Sequence, residues 1–155
     1  MLFRSGKEEE SVTRLSRVGF DNVMGHLKGG FAAWLAAGKE ADVVDRITAE
    51  QFAAEVKTGE DKIIDIRKDT EYAAEHVDEA YNKPLALINE WVKDINPEEH
   101  FYIHCAGGYR SMIAASILQA RGYRNFTEVA GGFAAINKTN VPKTNFVCQS
   151  KMMKA

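Results

Sequence analysis

The sequence has little cysteine and no long apolar run, and each shortage excludes a class of protein. Two cysteines, Cys105 and Cys148, are too few for a disulfide framework, so we expect a reducing, cytoplasmic setting. No apolar run approaches the ~20 residues that a membrane-spanning helix requires. The first residues also lack the apolar core of a signal peptide. We therefore expect a soluble protein with no membrane partner.

An excess of charge of one sign is lacking as well. The chain has 20 Lys and Arg against 22 Asp and Glu, a formal net charge of −2. A protein that binds nucleic acid through its phosphates usually carries a basic field, so no nucleic-acid partner is expected. The spacing of histidine and cysteine predicts no metal site, and we expect no cofactor. With 45% hydrophobic residues in 155, the composition is that of an ordinary globular protein.

One segment of the sequence occurs twice. Residues 19–34 can be aligned with residues 122–136 if one single-residue gap is allowed. The two segments then share their first glycine, an asparagine and the block Gly-Gly-Phe-Ala-Ala. The chain is long enough for only one complete copy of a unit that ends in this way. The sequence therefore predicts three parts: residues 1–38 as the C-terminal fragment of a preceding repeat, residues 39–141 as a complete domain, and residues 142–155 as a polar tail.

Strand and helix patterns alternate within the complete domain. Short runs rich in β-branched or aromatic residues predict strands at 43–44, 62–66, 101–104 and 126–129. Helices are predicted at 49–56, where Thr48 and Gln51 can form a capping box, and at 69–76, 84–93, 112–120 and after Gly131. This alternation is typical of an α/β fold with a mainly parallel sheet.

The N-terminal fragment is predicted to contain a helix at 7–18, one strand and a turn at 31–34. Such a piece has no sheet of its own and cannot bury its apolar residues alone. It must dock on the complete domain, pair with a second chain as a homodimer, or stay loose.

The candidate for chemistry is Cys105, which follows a predicted buried strand and precedes a predicted helix. In an open parallel sheet, ligands bind at that end of the strands. Gly107 and Gly108 allow the backbone to curl so that several N–H groups converge on an anion. The helix N-terminus and Arg110 add positive charge, which lowers the pKa of a thiol. Cys105 is therefore predicted to be a nucleophilic thiolate within a loop formed by Ala106, Gly107, Gly108, Tyr109, Arg110 and Ser111.

These residues resemble the rhodanese (sulfurtransferase) domain family over about residues 43–137. The family's active-site loop is a cysteine, four residues and an arginine or similar residue, which Cys105 to Arg110 match. Further similar motifs are Asp65-Ile66-Arg67, Glu71-Tyr72, His76, Ala80-x-Asn82-x-Pro84 and Gly131-Gly132-Phe133. The fragment at residues 1–38 is similar to the tail of a second rhodanese domain. It holds no cysteine, so that copy is expected to be inert.

The sequence departs from the family pattern at two positions. Glu75 stands where glycine is usual before His76, and Glu79 stands where glycine is usual before Ala80. Both are predicted turn positions away from the nucleophile, so they concern the local backbone and not the chemistry.

The resemblance implies a rhodanese-like parallel β-sheet flanked by helices on both faces. It also implies that sulfur moves from a donor, thiosulfate or a persulfide, to a thiol or cyanide acceptor through a persulfide on Cys105. The loop amides and Arg110 would hold that persulfide. Asp65 and Arg67 would support the loop and the sheet edge, with Glu71 as a plausible partner for Arg67.

Two other functional classes stay open. Phosphatases and arsenate reductases with this fold place five residues between cysteine and arginine, whereas four separate Cys105 from Arg110 and make a smaller cradle. The alternative is a non-catalytic regulatory or interaction module.

Three further residues near the loop or in the tail carry weaker predictions. His104 alternates with Cys105 along the strand and is expected to be structural. Tyr109 is expected to shape the mouth of the site. Cys148 could relay sulfur, but an incidental thiol is the simpler interpretation.

Overall fold

The computed structural model describes residues 6–17, 19 and 21–147. The chain divides into two compact units, with the boundary between Val43 and Val44. This boundary lies close to the predicted division between residues 1–38 and 39–141. Within the described part of the chain, no helix is long and apolar enough to cross a membrane.

The N-terminal unit contains two helices, α1 (Glu8–Ser16) and α2 (Gly30–Ala36). Acidic residues occupy the first turn of α1 and Arg14 its last turn, as the helix dipole favours. The predicted end of this helix at residue 18 lies outside the described residues. The predicted turn at 31–34 lies inside α2.

The strand predicted in the N-terminal unit is wrong, because the described residues between α1 and α2 contain none. A strand needs an edge to pair with, and this unit offers none. The homodimer through residues 1–38 stays a prediction.

The C-terminal unit alternates strands and helices, with two 3₁₀ segments, Leu85–Leu87 and Val92–Asp94, on either side of one short helix. Its strands are β1 (Arg46–Ile47), β2 (Lys62–Asp65), β3 (Tyr81–Asn82), β4 (Phe101–His104) and β5 (Phe126–Val129). Its helices are α3 (Ala49–Glu55), α4 (Asp69–Ala74), α5 (Ile88–Trp91), α6 (Tyr109–Ala120) and α7 (Gly132–Ile136). The strands form one sheet in the order β1-β5-β4-β2-β3, and every pair is parallel.

The sheet is buried on both faces because its central strands are apolar on both sides. Ile64 and Ile103 face a cluster that includes residues of α5 and α6, whereas Ile63 and Tyr102 face a cluster that includes residues of α3 and α7. The predicted fold, a parallel sheet flanked by helices on both faces, is confirmed. The carboxyl ends of β2 and β4 lie side by side, since Asp65 is in register with His104.

The capping box predicted for α3 is present. The Gln51 amide donates to the Thr48 hydroxyl at 3.2 Å, and the Thr48 amide donates to the Gln51 side chain at 2.9 Å. Two orphan amides of the helix start are thereby satisfied by local contacts alone.

The helix predicted at 84–93 is interrupted. Only α5 is α-helical, and a 3₁₀ segment lies on each side of it. Contacts from outside the segment divide it: the Leu85 amide donates to Ile66 O, and the Tyr123 hydroxyl donates to Val92 O at 2.9 Å. The first strand is also displaced, because it is Arg46 and Ile47 that pair with β5. The two-residue β3 is too short for a sequence pattern to predict.

The segment predicted as a polar tail is tied to the domain as far as Val147. Val77 and Lys143 form an antiparallel bridge. The amides of Thr144 and Val147 donate to His76 O and Ala74 O at 3.0 and 2.7 Å. Cys148 lies outside the described residues, so its role stays a prediction.

The two positions where the sequence departs from the usual glycine differ in backbone conformation. Among the described residues other than glycine, Glu79 has a positive φ, of 58°, and no other does. Glu75 is extended, with a φ of −169°. Only Glu79 therefore occupies a conformation that favours glycine.

We expect Glu79→Gly to raise the free energy of unfolding by about 0.5–1 kcal/mol, because glycine relieves the left-handed strain at some entropic cost. The matched control Glu75→Gly should lower it by about 0.5 kcal/mol, because only the unfolded chain gains freedom there. Urea unfolding of both variants measures the difference. Equal effects of the two substitutions would contradict the strain at Glu79.

Candidate active site

The loop that follows β4 bends around the sulfur of Cys105. The Gly108 amide donates to Sγ at 3.2 Å, and the Ser111 hydroxyl oxygen lies 3.5 Å from the same atom. Gly108 is the N-cap of α6 with a φ of 96°, a left-handed conformation that glycine allows. The predicted convergence of donors on the sulfur is therefore present.

The cradle makes the thiol more acidic. Burial of the sulfur raises the pKa of Cys105, but the contacts that Ser111 makes with the sulfur, followed by the amides of Gly107 and Gly108, lower it. The lowering effects prevail, so the pKa of the thiol lies below its usual value. The loop can therefore hold a sulfur nucleophile in its charged form.

The start of α7 is hydrogen-bonded to the backbone of the Cys105 loop. The Phe133 amide donates to Cys105 O at 2.6 Å, and the Ala134 amide donates to Ala106 O at 2.9 Å. This approach requires glycine at position 132: a Cβ there would overlap the Cys105 carbonyl oxygen, and the φ of Gly132 is 56°. The Gly131-Gly132 pair thus positions the backbone of Cys105.

Arg110 is paired with Glu71, and this corrects the expected pairing of Glu71 with Arg67. Nη1 and Nη2 of Arg110 donate to the two oxygens of Glu71 at 2.7 and 2.8 Å. The hydrogen bond from Arg110 lowers the pKa of Glu71. The helix α4 that carries Glu71 is thereby joined to α6. Sequence spacing placed Glu71 near Arg67, but the parallel sheet brings α4 and α6 to the same edge.

Asp65 and Arg67 form a buried ion pair at the end of β2. Arg67 donates to both Asp65 oxygens, and its Nη2 lies 2.6 Å from Oδ2. Asn82 secures the same corner by donating to Asp65 O and Arg67 O. The Arg67 guanidinium also lies 4.0 Å from the Phe133 ring centroid. The pair is therefore placed beside the loop, and its supporting role in activity stays a prediction.

His104 points to the opposite face of the sheet from Cys105, as its alternation predicted. It stacks on Phe133, and burial lowers its pKa, so the ring is neutral at neutral pH. Its Nδ1 lies 3.3 Å from Cys105 O, whereas its Nε2 has no partner among the described protein groups. Among the described residues, His104 interacts with the Cys105 carbonyl group and the Phe133 ring, and not with the Cys105 sulfur.

Sequence reasoning missed a second ion pair at the site, between a buried carboxylate and a half-exposed arginine. Glu128 on β5 is fully buried; its Oε1 accepts from the Ser111 hydroxyl at 2.6 Å, and its Oε2 accepts from Arg46 Nε at 2.6 Å. The sequence does contain one indication, a charged residue inside the otherwise apolar strand Phe126–Val129. Arg46 offers no such indication, because its role depends on the pairing of β1 with β5.

The sulfur is enclosed, and the loop's outer residue is open. Only 1% of the Cys105 surface is exposed, whereas Tyr109 is 80% exposed. The exposed residues of the loop are Gly107 and Tyr109. The arrangement provides a sulfur with a lowered pKa beside amide donors, which suits covalent attack by sulfur on a small electrophile.

Comparison with known proteins agrees with this geometry. A model of the rhodanese-like domain matches residues 48–139. A sulfurtransferase of Allochromatium vinosum is 28% identical over 101 residues, covering 64% of this chain and 94% of that protein. YrkF of Bacillus subtilis (strain 168) is 27% identical, but the chain spans only about half of its length, 52%. The crystal structure of a rhodanese-like domain protein from Staphylococcus aureus is 30% identical, with a TM-score of 0.54, covering 63% of this chain and 96% of that one.

We expect Gly132→Ala to lower the free energy of unfolding by about 3 kcal/mol and to make Cys105 less acidic, because the added methyl group pushes the loop away from α7. Gly107→Ala is the matched control, since a Cβ at that position meets no atom within 4 Å. Thermal unfolding and the pH dependence of alkylation of Cys105 measure the two effects. A Gly107 variant as damaged as the Gly132 variant would contradict this account of the loop.

Proposed function

This chain belongs to the rhodanese-like domain family, and from that membership we propose that it is a sulfurtransferase with Cys105 as the nucleophile. The observation that carries the proposal is the placement of the Cys105 sulfur within hydrogen-bonding distance of the Gly108 amide at the start of α6. The relative named as a sulfurtransferase supports it at the level of the domain, because the match covers 94% of that protein.

The proposed reaction has two covalent steps. The Cys105 thiolate attacks the outer sulfur of a donor; the bond between that sulfur and the rest of the donor breaks, and sulfite leaves from thiosulfate or a thiolate leaves from a persulfide. A thiol or cyanide acceptor then attacks the outer sulfur of the Cys105 persulfide and releases the Cys105 thiolate. Ping-pong kinetics follow from this order.

The loop amides are the groups best placed to stabilise the persulfide. The outer sulfur carries negative charge, and fixed amide donors stabilise such charge without reorganising during the reaction. Arg110 contributes a positive field, but Glu71 occupies its guanidinium. Asp65 and Arg67 support the strand end beside the loop.

The phosphatase alternative is disfavoured by the size of the loop and by the state of its arginine. Four residues separate Cys105 from Arg110, so the loop surrounds a smaller volume than the five-residue spacing of phosphatases with this fold. A phosphate group is also best bound by a free guanidinium fork. In this structure the Arg110 fork is paired with a carboxylate.

We expect wild-type protein to gain about 32 Da, one sulfur atom, after exposure to glutathione persulfide or thiosulfate, because the first step leaves sulfur on the enzyme. Cys105→Ser should gain nothing, whereas Cys148→Ser, which retains the proposed nucleophile, should load like wild type. Intact-mass spectrometry detects the adduct, and a thiosulfate:cyanide assay measures turnover.

Each alternative function predicts a different result in these experiments. A loop that loads sulfur on neither donor, in a folded protein, would favour the non-catalytic module. Turnover of a chromogenic phosphate ester that requires Cys105 would favour the phosphatase.

A further inference from the structure

Four side chains, linked by close polar contacts, form a continuous series that ends at Cys105. Arg46 Nε donates to Glu128 Oε2 at 2.6 Å, and the Ser111 hydroxyl donates to Glu128 Oε1 at 2.6 Å. The same hydroxyl oxygen lies 3.5 Å from Cys105 Sγ. A fully buried carboxylate is therefore separated from the reactive sulfur by one hydroxyl group.

The Ser111 hydroxyl has one proton and three neighbouring acceptors. These are Glu128 Oε1 at 2.6 Å, Gly108 O at 3.0 Å and the Cys105 sulfur at 3.5 Å. Hydrogen bonds from a hydroxyl to a carboxylate are short and strong, and 2.6 Å is a typical length for them. The other carboxylate oxygen, Oε2, accepts from Arg46 Nε, so Oε1 is the oxygen that faces Ser111. The Ser111 hydroxyl therefore donates its hydrogen bond to the Glu128 carboxylate.

Resting on the proposed sulfurtransferase function, we propose that Glu128 is a positioning residue for Cys105: it accepts the hydrogen bond that the Ser111 hydroxyl donates, and the Ser111 oxygen is left facing the sulfur without a proton to donate to it. Arg46 holds the carboxylate in place from the neighbouring strand. The amides of the loop are then the donors that stabilise a thiolate at this position.

This arrangement matters for where negative charge sits during the reaction. In the first step the Cys105 thiolate takes the outer sulfur from a persulfide anion; the new bond joins Sγ to that sulfur, the donor's S–S bond breaks, and a thiolate leaves with the bonding electron pair. The charge on the enzyme thereby moves from Sγ to the outer sulfur. The Ser111 oxygen lies 3.5 Å from Sγ and Glu128 lies one hydroxyl group further away, so both oppose negative charge located on Sγ itself. Glu128 therefore favours the sulfur-loaded enzyme over the free thiolate.

Other charged and titratable groups also lie around Glu128 and Cys105. Substituting Glu128 by glutamine leaves these groups in the sequence. They come from β1, the end of β2, β4, α4 and α6: Arg46, Asp65, Arg67, His104, Glu71 and Arg110. Arg67 and Arg110 are each paired with a carboxylate, and burial keeps His104 neutral. The experiment therefore compares variants that keep all six.

We expect Glu128→Gln to lower the pKa of the Cys105 thiol by about one unit, because a negative charge beside Sγ is removed and Ser111 becomes free to donate to the thiolate. Every variant carries Cys148→Ser, so that Cys105 is the only thiol, and the rate of alkylation by iodoacetamide is measured against pH. Glu99→Gln is the matched control: it makes the same charge change beside Lys62, at the opposite end of the parallel strands. It should leave the pKa of the thiol unchanged.

Ser111→Ala decides which way the hydroxyl points. With Glu128 intact, the pKa of the thiol should not rise, because the lost hydroxyl donated to the carboxylate and not to the sulfur. In the Glu128→Gln background the same substitution should raise the pKa by about one unit, because there the hydroxyl donates to the thiolate.

Two results would overturn the proposal. One is an unchanged or raised pKa of the thiol in folded Glu128→Gln. The other is a rise on Ser111→Ala with Glu128 intact, a measurement that decides the question even if the Gln variant fails to fold. No sulfur donor is present in these measurements, so their outcome is independent of whether the protein transfers sulfur.

Discussion

The site depends on one constraint: the Cys105 sulfur is buried, and backbone amides take the place of the water that it loses. The left-handed turn at Gly108 brings its amide to within 3.2 Å of the Cys105 sulfur. That turn is held from outside by the Phe133 amide, which donates to Cys105 O. Because both contacts are made by the backbone, they place the thiolate's partners at a position that side-chain motion cannot disturb. The second contact is possible because residue 132 is a glycine, which can lie against the Cys105 carbonyl group.

Three ion pairs surround this loop, and two of them join elements that lie far apart along the chain. Arg110 of α6 binds Glu71 of α4, Arg46 of β1 binds Glu128 of β5, and Arg67 binds Asp65 at the end of β2. A buried ion pair is weak support for stability, because its desolvation cost offsets the attraction. Its effect here is geometric. The pairs fix the strand ends and helix starts that carry the loop, which is the form of support that a pre-organised site requires.

The parts of the structure that follow from local chemistry could be predicted from the sequence. The capping box of Thr48 and Gln51, the apolar runs of β2 and β4, and the glycine-rich sequence of the Cys105 loop can each be recognised from residues that are adjacent in sequence. The parts that failed depend on distant contacts. The helix at 84–93 is divided by contacts with Ile66 and Tyr123, which no periodicity reveals.

The ion pairs of the site failed to be predicted for the same reason. Glu71 was expected beside Arg67, its neighbour in sequence, but the fold carries it to Arg110. A buried glutamate such as Glu128 needs a cation and a hydroxyl donor, and both come from other elements: Arg46 from β1 and Ser111 from α6. The sequence therefore indicates that the charge inside β5 must have partners, but only the order of strands identifies them. Residues that tune a nucleophile through a neighbour are in general less visible in sequence than the nucleophile itself, because their partners are set by topology and not by spacing.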